Sequence, residues 1–152
     1  MKKLSLLLLV VVMILQQSCK KDEVVETYAR GGNSLIHTPD AQMLVAGFNI
    51  TDLNSFDAYL SKVNASGEIV WSNSFGDKGS DGFYRVINAS GGGYVATGFV
   101  TSTSNGRSNL LLVKVNAEGS LVWSKVFGVD SIAQGFSVAE SMMVVSLFVG
   151  IS

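Results

Sequence analysis

Residues 110–128 read LLLVKVNAEGSLVWSKVFG, and residues 58–76 read AYLSKVNASGEIVWSNSFG. The two stretches align at an offset of 52 positions, which places Lys62 on Lys114 and Trp71 on Trp123. The aligned glycines are Gly67 with Gly119 and Gly76 with Gly128. A period of this length is typical of propeller and solenoid folds, so this internal repeat predicts the architecture of the chain.

The composition favours an all-β chain. Of its 152 residues, 47% are hydrophobic and 15% charged, and 16 glycines accompany a single proline. Frequent glycine between short apolar runs is typical of strands joined by turns. The net charge of −1 provides no basic surface for nucleic acid, which we exclude as a partner.

Each repeat unit is predicted to form four antiparallel strands. A second matching pair of segments, LVAGF at 44–48 and YVATGF at 94–99, precedes the two long copies. The predicted strands span 34–38, 43–49, 59–64 and 68–75 in the first unit, and 82–89, 93–100, 110–116 and 120–127 in the second. The loops NASG (64–67) and NAEG (116–119) predict type I turns whose last residue, glycine, takes a positive φ.

The alternation in the fourth predicted strand of each unit indicates burial on both faces. Trp71 and Trp123 point to one face, and Val70 and Val122 to the other. A strand that is apolar on both faces suits a propeller blade packed between neighbours. We therefore interpret both tryptophans as inter-blade core residues, because aromatic rings bury a large area between sheets.

The N-terminus is predicted to be an export signal. Lys2 and Lys3 precede an apolar run at 4–15, which is shorter than the ~20 residues of a membrane span. Cys19 follows Ser18 directly. It is the only cysteine of the chain, so no intrachain disulfide can form. An ordinary thiol is the alternative interpretation of Cys19.

The signal and its cysteine resemble the lipobox of bacterial lipoproteins. This resemblance implies cleavage after residue 18, lipidation of Cys19 with palmitate-type chains, and anchoring in the cell envelope. The sequence KKDE at 20–23 is similar to signals that send Bacteroidota lipoproteins to the outer face of the outer membrane. We expect domains at 1–18 (signal peptide), 19–33 (lipidated cysteine and tether), 34–81 (first blade), 82–128 (second blade) and 129–152 (start of a third blade with an aberrant tail).

Residues 92–98 (GGYVATG) and 112–124 (LVKVNAEGSLVWS) resemble the repeated phrases of a bacterial repeat-propeller family. The glycine-to-tryptophan spacing is also similar to the tryptophan-docking repeats of quinoprotein-like propellers. The resemblance spans residues 34–141 and implies a partial β-propeller of two four-stranded blades. A ring needs typically about 4 to 8 blades, so the chain is expected to be truncated or frameshifted. At 142–152 it reads MMVVSLFVGIS where a DGG-type strand is due, and suitable synonymous codons encode such a strand in the neighbouring frame.

No motif predicts catalysis. His37, the only histidine, has no partner residues around it and is interpreted as a surface loop residue. Asp77 and Asp81 lie in DKGSDG, which is similar to part of a calcium loop but lacks its closing glutamate, so a turn between blades is the favoured interpretation and a cation site the weaker one.

The sequence thus predicts a lipid-anchored, non-catalytic binding or scaffold module without cofactor. Its expected partners are the membrane, through Cys19, and extracellular protein or glycan. Self-association through open blade edges is a further expectation, because unpaired strand edges promote it. The alternative is a fragment of a quinoprotein-like or glycan-active propeller enzyme whose catalytic residues lie in other blades.

Overall fold

The computed structural model describes residues 30–52, 55–128, 132–140 and 145–150. These residues form ten β-strands and no helix. The strands are β1 (Arg30–His37), β2 (Met43–Asp52), β3 (Ser55–Val63), β4 (Ile69–Phe75), β5 (Asp81–Asn88), β6 (Tyr94–Thr101), β7 (Ser108–Val115), β8 (Leu121–Phe127), β9 (Gln134–Glu140) and β10 (Val145–Gly150).

The strands form two four-stranded antiparallel sheets and one two-stranded sheet. The first sheet has the order β1-β2-β3-β4, the second the order β5-β6-β7-β8, and the third pairs β9 with β10. Each four-stranded sheet is a simple meander, because every strand pairs with its neighbour in sequence. The predicted all-β class and the two four-stranded antiparallel units are confirmed.

The strand bounds differ from the prediction mainly in the first sheet. β1 begins at Arg30, four residues before the predicted start, so the last residues assigned to the tether belong to the sheet. Arg30 and Gly31 pair with Asn49 and Phe48 beyond a break in register at Asn33. The sequence RGGN at 30–33 shows no apolar alternation, so the local pattern does not predict a strand there. The segment is held extended by its cross-strand partners in β2.

Register breaks recur once in each unit, 51 and 52 residues apart. The pairing skips Asn33 in β1, Tyr84 in β5 and Phe136 in β9. A bulged residue is left out of the ladder and bends its strand, so these breaks are structural features of the unit. The third sheet therefore begins as the first two do.

The core lies between successive sheets. The first cluster joins Leu44 and Leu60 of the first sheet to Phe83 and Val86 of the second. The second cluster joins inward-facing residues of the second sheet to Ala133 and β9: Val95, Leu110, Leu112, Ala133 and Val138. Val95 and Leu112 are the repeat equivalents of Leu44 and Leu60, so each unit presents the same positions to the next unit.

The prediction of burial on both faces is wrong for β4 and β8. Val70, Val122, Ile69 and Leu121 are all more than half exposed. The two strands lie at the ends of their sheet orders and pair on one side only. Edge strands leave part of their apolar surface outside the inter-sheet core, which the alternation of residues alone does not show.

Candidate functional site

Trp71 joins the first sheet to the second. Its indole Nε1 donates a hydrogen bond to the carbonyl oxygen of Ala117 at 3.2 Å, and its ring lies 6.2 Å from that of Tyr94. Beside it, Asn73 Nδ2 donates to the carbonyl oxygen of Gly119 at 2.8 Å. The turn between β7 and β8 is therefore docked on β4.

The docked turn has the predicted geometry. Asn116 Oδ1 accepts hydrogen bonds from the backbone N–H groups of Glu118 and Ser120, and Asn64 organises the equivalent turn in the same way. Gly67 and Gly119 have φ of 84° and 83°. This left-handed conformation favours glycine, so both turns are confirmed in detail.

The two tryptophans lie at equivalent positions with different surroundings. Trp71 packs against the first core cluster and Trp123 against the second, and both are half-buried. The sequence interpretation of core packing between units agrees with these contacts. The docking of Trp71 on a backbone turn is additional, and only the glycine-to-tryptophan spacing pointed to it.

A groove with a volume of about 650 Å³ lies between the two large sheets near their outer strands, and we call it the inter-sheet groove. Its floor includes Leu111 and Val113 of β7, and one wall is formed by β8. The opposite wall is the segment 74–77, and residues 100–104, which are the end of β6 and the loop after it, complete the lining.

Asp81 joins two of the segments that line the groove. Its side chain is 0% exposed. Its Oδ2 accepts a hydrogen bond from the backbone N–H of Asp77 at 2.7 Å, and its Oδ1 accepts one from that of Thr101 at 2.9 Å. A Cβ at Gly76, whose φ is 136°, would lie 1.9 Å from Asp81 Oδ2, so only glycine lets the chain approach this closely.

Burial raises the pKa of Asp81, because the charged form loses hydration. The two backbone hydrogen bonds act in the opposite direction, and the nearby carboxylates of Asp57 and Asp77 add to the increase. The buried acid therefore ionises less readily in the folded protein than in water.

The structure assigns Asp77 and Asp81 different positions. Asp77 is exposed at the rim, whereas Asp81 is buried with both carboxylate oxygens bonded to backbone N–H groups. Among the residues that the structure describes, no three His, Cys, Asp or Glu side chains cluster as metal ligands would. The contacts of Asp81 fit the turn interpretation of this segment.

His37 ends β1 and is exposed, so it belongs to a strand end rather than to a loop. Its backbone carbonyl accepts a hydrogen bond from Asn88 Nδ2 at 2.9 Å. This bond links the first sheet to the second.

An ion pair that the sequence analysis missed lies at the edge of the core. Lys62 Nζ lies 2.8 Å from Asp40 Oδ2 and 5.7 Å from the ring centre of Tyr94. Burial opposes the charge of Lys62, but the bonds to Asp40 and Tyr94 outweigh it and raise the pKa of Lys62. The hydrogen bond from Lys62 lowers the pKa of Asp40. The pair allows a lysine to be buried.

Cys19, the predicted lipidation site, lies outside the described residues. Within the described ranges, no helix has the length and apolar character required to cross a membrane.

No family model matches the chain, and the curated proteins contain no match.

Proposed function

We propose that the chain is a lipid-anchored, exported repeat protein of the β-propeller type that acts as a non-catalytic binding or scaffold module in the cell envelope. The observation that carries this proposal is the repetition of one packing arrangement. β5 packs on the first sheet, and β9 packs on the second sheet in the same way.

Hydrogen bonds between units support the repeated arrangement. Asn33 Nδ2 donates to the carbonyl oxygen of Phe83, 50 residues further along the chain. Tyr84 is the bulged residue equivalent to Asn33, and its hydroxyl bonds to Gln134 Oε1, again 50 residues away. Blades that follow one another at a constant offset are the building principle of propellers and other repeat proteins.

The proposed lipid anchor rests on the sequence around Cys19. Residues 20–29 separate that cysteine from the start of β1, and ten residues reach at most about 35 Å. Each buried methylene of an acyl chain contributes about 0.8 kcal/mol, so several chains would retain the protein at a membrane. The sheets would then stand close to the bilayer and outside it.

The binding role is supported by the surface between the sheets. The inter-sheet groove combines apolar and polar residues, which is the usual character of ligand sites. Asp81 is not among the residues that line the groove, and its carboxylate accepts backbone hydrogen bonds from two residues that do line it, which suits a structural role better than acid–base chemistry. We propose extracellular protein or glycan as the partner.

Replacement of the cysteine tests the anchor. Cys19→Ala should abolish labelling by radioactive palmitate and move the protein from the membrane fraction to the soluble fraction. Lys20→Ala, the adjacent change, should leave both properties as in the unmodified protein. Continued membrane association of the Cys19→Ala protein would contradict the lipid anchor.

A further inference from the structure

We propose that the inter-sheet groove binds a neutral carbohydrate segment, with the buried Asp81 joining two segments of the groove lining. This inference rests on the proposed binding function and names the ligand class of that site.

The groove has the size of a ligand site. Its volume of about 650 Å³ lies within the roughly 300–1,000 Å³ of small-molecule pockets. The groove is partly open to solvent, so a chain longer than the groove can extend beyond it.

The lining offers the two kinds of contact that a sugar ring needs. Leu121 and Val126 are each 55% exposed, and with Phe75 they provide an apolar surface for the C–H faces of the ring. Hydroxyl and amide groups surround this surface, including those of Thr103 and Asn109. These two side chains make no hydrogen bond to the described part of the chain, so they can serve a ligand.

The charge of the lining selects against anions. Among the described residues that line the groove, Asp77 is the only charged one, and none is a lysine or arginine. Phosphate, sulfate and uronic acids would therefore meet a carboxylate without a compensating cation. A neutral sugar can instead donate hydroxyl hydrogen bonds to Asp77.

The strand pairing leaves the floor of the groove without a free strand edge. β7, which forms the floor, is paired with β6 on one side and β8 on the other. A peptide lying on this floor could form the backbone ladder that gives such complexes their affinity only on the outer edge of β4 or β8, so hexaalanine is included among the probes below.

Part of the lining is organised before a ligand arrives. Asp81 bonds to the backbone of Asp77 in the segment 74–77 and to that of Thr101 at the end of β6. A site whose parts are held in place loses less conformational freedom on binding, and weak sugar contacts then suffice for measurable affinity.

Titration of the full chain with three neutral probes, xylohexaose, cellohexaose and mannohexaose, tests the proposal by calorimetry. We expect at least one of them to bind with a Kd of about 1 mM or tighter, and the anionic hexagalacturonate and hexaalanine to bind at least about tenfold more weakly. Failure of all three neutral probes, or equal binding of hexagalacturonate or hexaalanine, would overturn it.

A matched pair of variants locates the site. Ser124 lines the groove, whereas Ser72, its repeat equivalent on β4, does not, and both are exposed. Ser124→Phe should weaken binding about tenfold or more, and Ser72→Phe should leave it within about twofold. Equal effects would overturn the assignment to this groove. The membrane fractionation of the Cys19→Ala protein does not depend on sugar binding. If the carbohydrate proposal is wrong, only the titration fails; if the proposed lipid anchor is wrong, the Cys19→Ala protein stays in the membrane fraction.

Discussion

At the scale of the residue, Gly67 and Gly119 show how neighbours give identical positions different roles. Both end an Asn-Ala-x-Gly turn with nearly the same positive φ. No atom lies within 4 Å of a Cβ built on Gly67, whereas a Cβ on Gly119 would lie 2.6 Å from the Trp71 ring. Gly67 is required only by the backbone conformation of its turn, whereas Gly119 also leaves room for the ring of Trp71 in the contact between the sheets.

The pair therefore predicts unequal costs of the same substitution. Gly67→Ala should lower the free energy of unfolding by about 1 kcal/mol, because only backbone strain is added. Gly119→Ala should cost about 1–3 kcal/mol more, because the ring of Trp71 must move. Urea denaturation followed by tryptophan fluorescence measures both, and equal losses would show that Trp71 does not pack on the turn.

Asp81 predicts a pH dependence. Its pKa is raised in the folded protein, chiefly by burial, so the unfolded chain ionises first as the pH rises. The contribution of Asp81 to stability should therefore decrease from about pH 4 upward, until the folded-state pKa has been passed. Asp81→Asn should remove this part of the pH dependence of the unfolding free energy.

Asp40 provides the opposite control. Its pKa is lowered by the hydrogen bond from Lys62, so its contribution is present above the ordinary pKa of an aspartate and is lost as the pH falls. Urea denaturation between pH 3 and 7 compares the variants. If Asp81→Asn and Asp40→Asn changed the slope in the same direction, the assigned environment of Asp81 would be wrong.

At the scale of the element, equivalent strands differ in what covers them. Leu35 of β1 and Val86 of β5 hold the same repeat position, because each stands two residues after the bulged residue of its strand. Val86 is 0% exposed between the two large sheets, and Leu35 is 56% exposed. The repeat position alone therefore does not decide whether the side chain is buried. Val86 is buried because the sheet of the preceding unit packs on β5.

Alanine at these two positions tests that difference. Val86→Ala should lower the free energy of unfolding by roughly 1–3 kcal/mol, because buried methyl groups are lost from a packed core. Leu35→Ala should cost less than about 0.5 kcal/mol. Thermal and urea unfolding compare the two proteins, and a loss of more than 1 kcal/mol at Leu35 would show that another surface packs on β1.

At the scale of the whole molecule, each unit is stabilised by its neighbour. The first core cluster joins the first two sheets, and the second joins the second sheet to β9. In such repeats, stability grows with the number of interfaces between units, and an uncovered apolar face promotes association. Exposed side chains such as Leu35 and Phe136 belong to the surfaces that we propose for self-association.

A series with added units tests this. Residues 129–152 are replaced by one or more copies of residues 77–128. Each copy should raise the Tm, and association measured by light scattering should fall when a ring of about 4 to 8 blades closes. In the same series with Trp71 and each equivalent tryptophan changed to alanine, the Tm should rise less with each added unit. A Tm independent of unit number would contradict blade stacking.

The third sheet shows a departure from the repeat at the same scale. Gly47 and Gly98 hold one position in β2 and β6, and a Cβ there would lie 1.7 and 1.8 Å from a backbone carbonyl oxygen. Val149 holds the equivalent register position in β10, opposite Gly135. The interpretation of residues 142–152 as an aberrant tail stays a prediction, and the nucleotide sequence at codon 142 decides whether the frame has shifted.

The sequence by itself determined the repeat, the all-β class, the strands of the two complete units and their Asn-Ala-x-Gly turns. These features depend on local chemistry: strands on apolar alternation, and turns on asparagine and a glycine with positive φ. Only the tertiary structure decided the burial of Asp81, its bonds to the backbone of Asp77 and Thr101, and the ion pair of Lys62 with Asp40. These depend on partners up to 22 residues away, for which no local pattern exists.

The tertiary structure also decided the outcome for the repeat 110–128. Its tryptophan and glycine have the spacing of docking residues, but contact between Trp71 and Gly119 required the second sheet to pack beside the first. Exposure of β4 and β8 depended on the same packing, because a strand is buried only where another sheet covers it. Periodicity determines which face of a strand is apolar, and the arrangement of neighbouring units determines whether water reaches it.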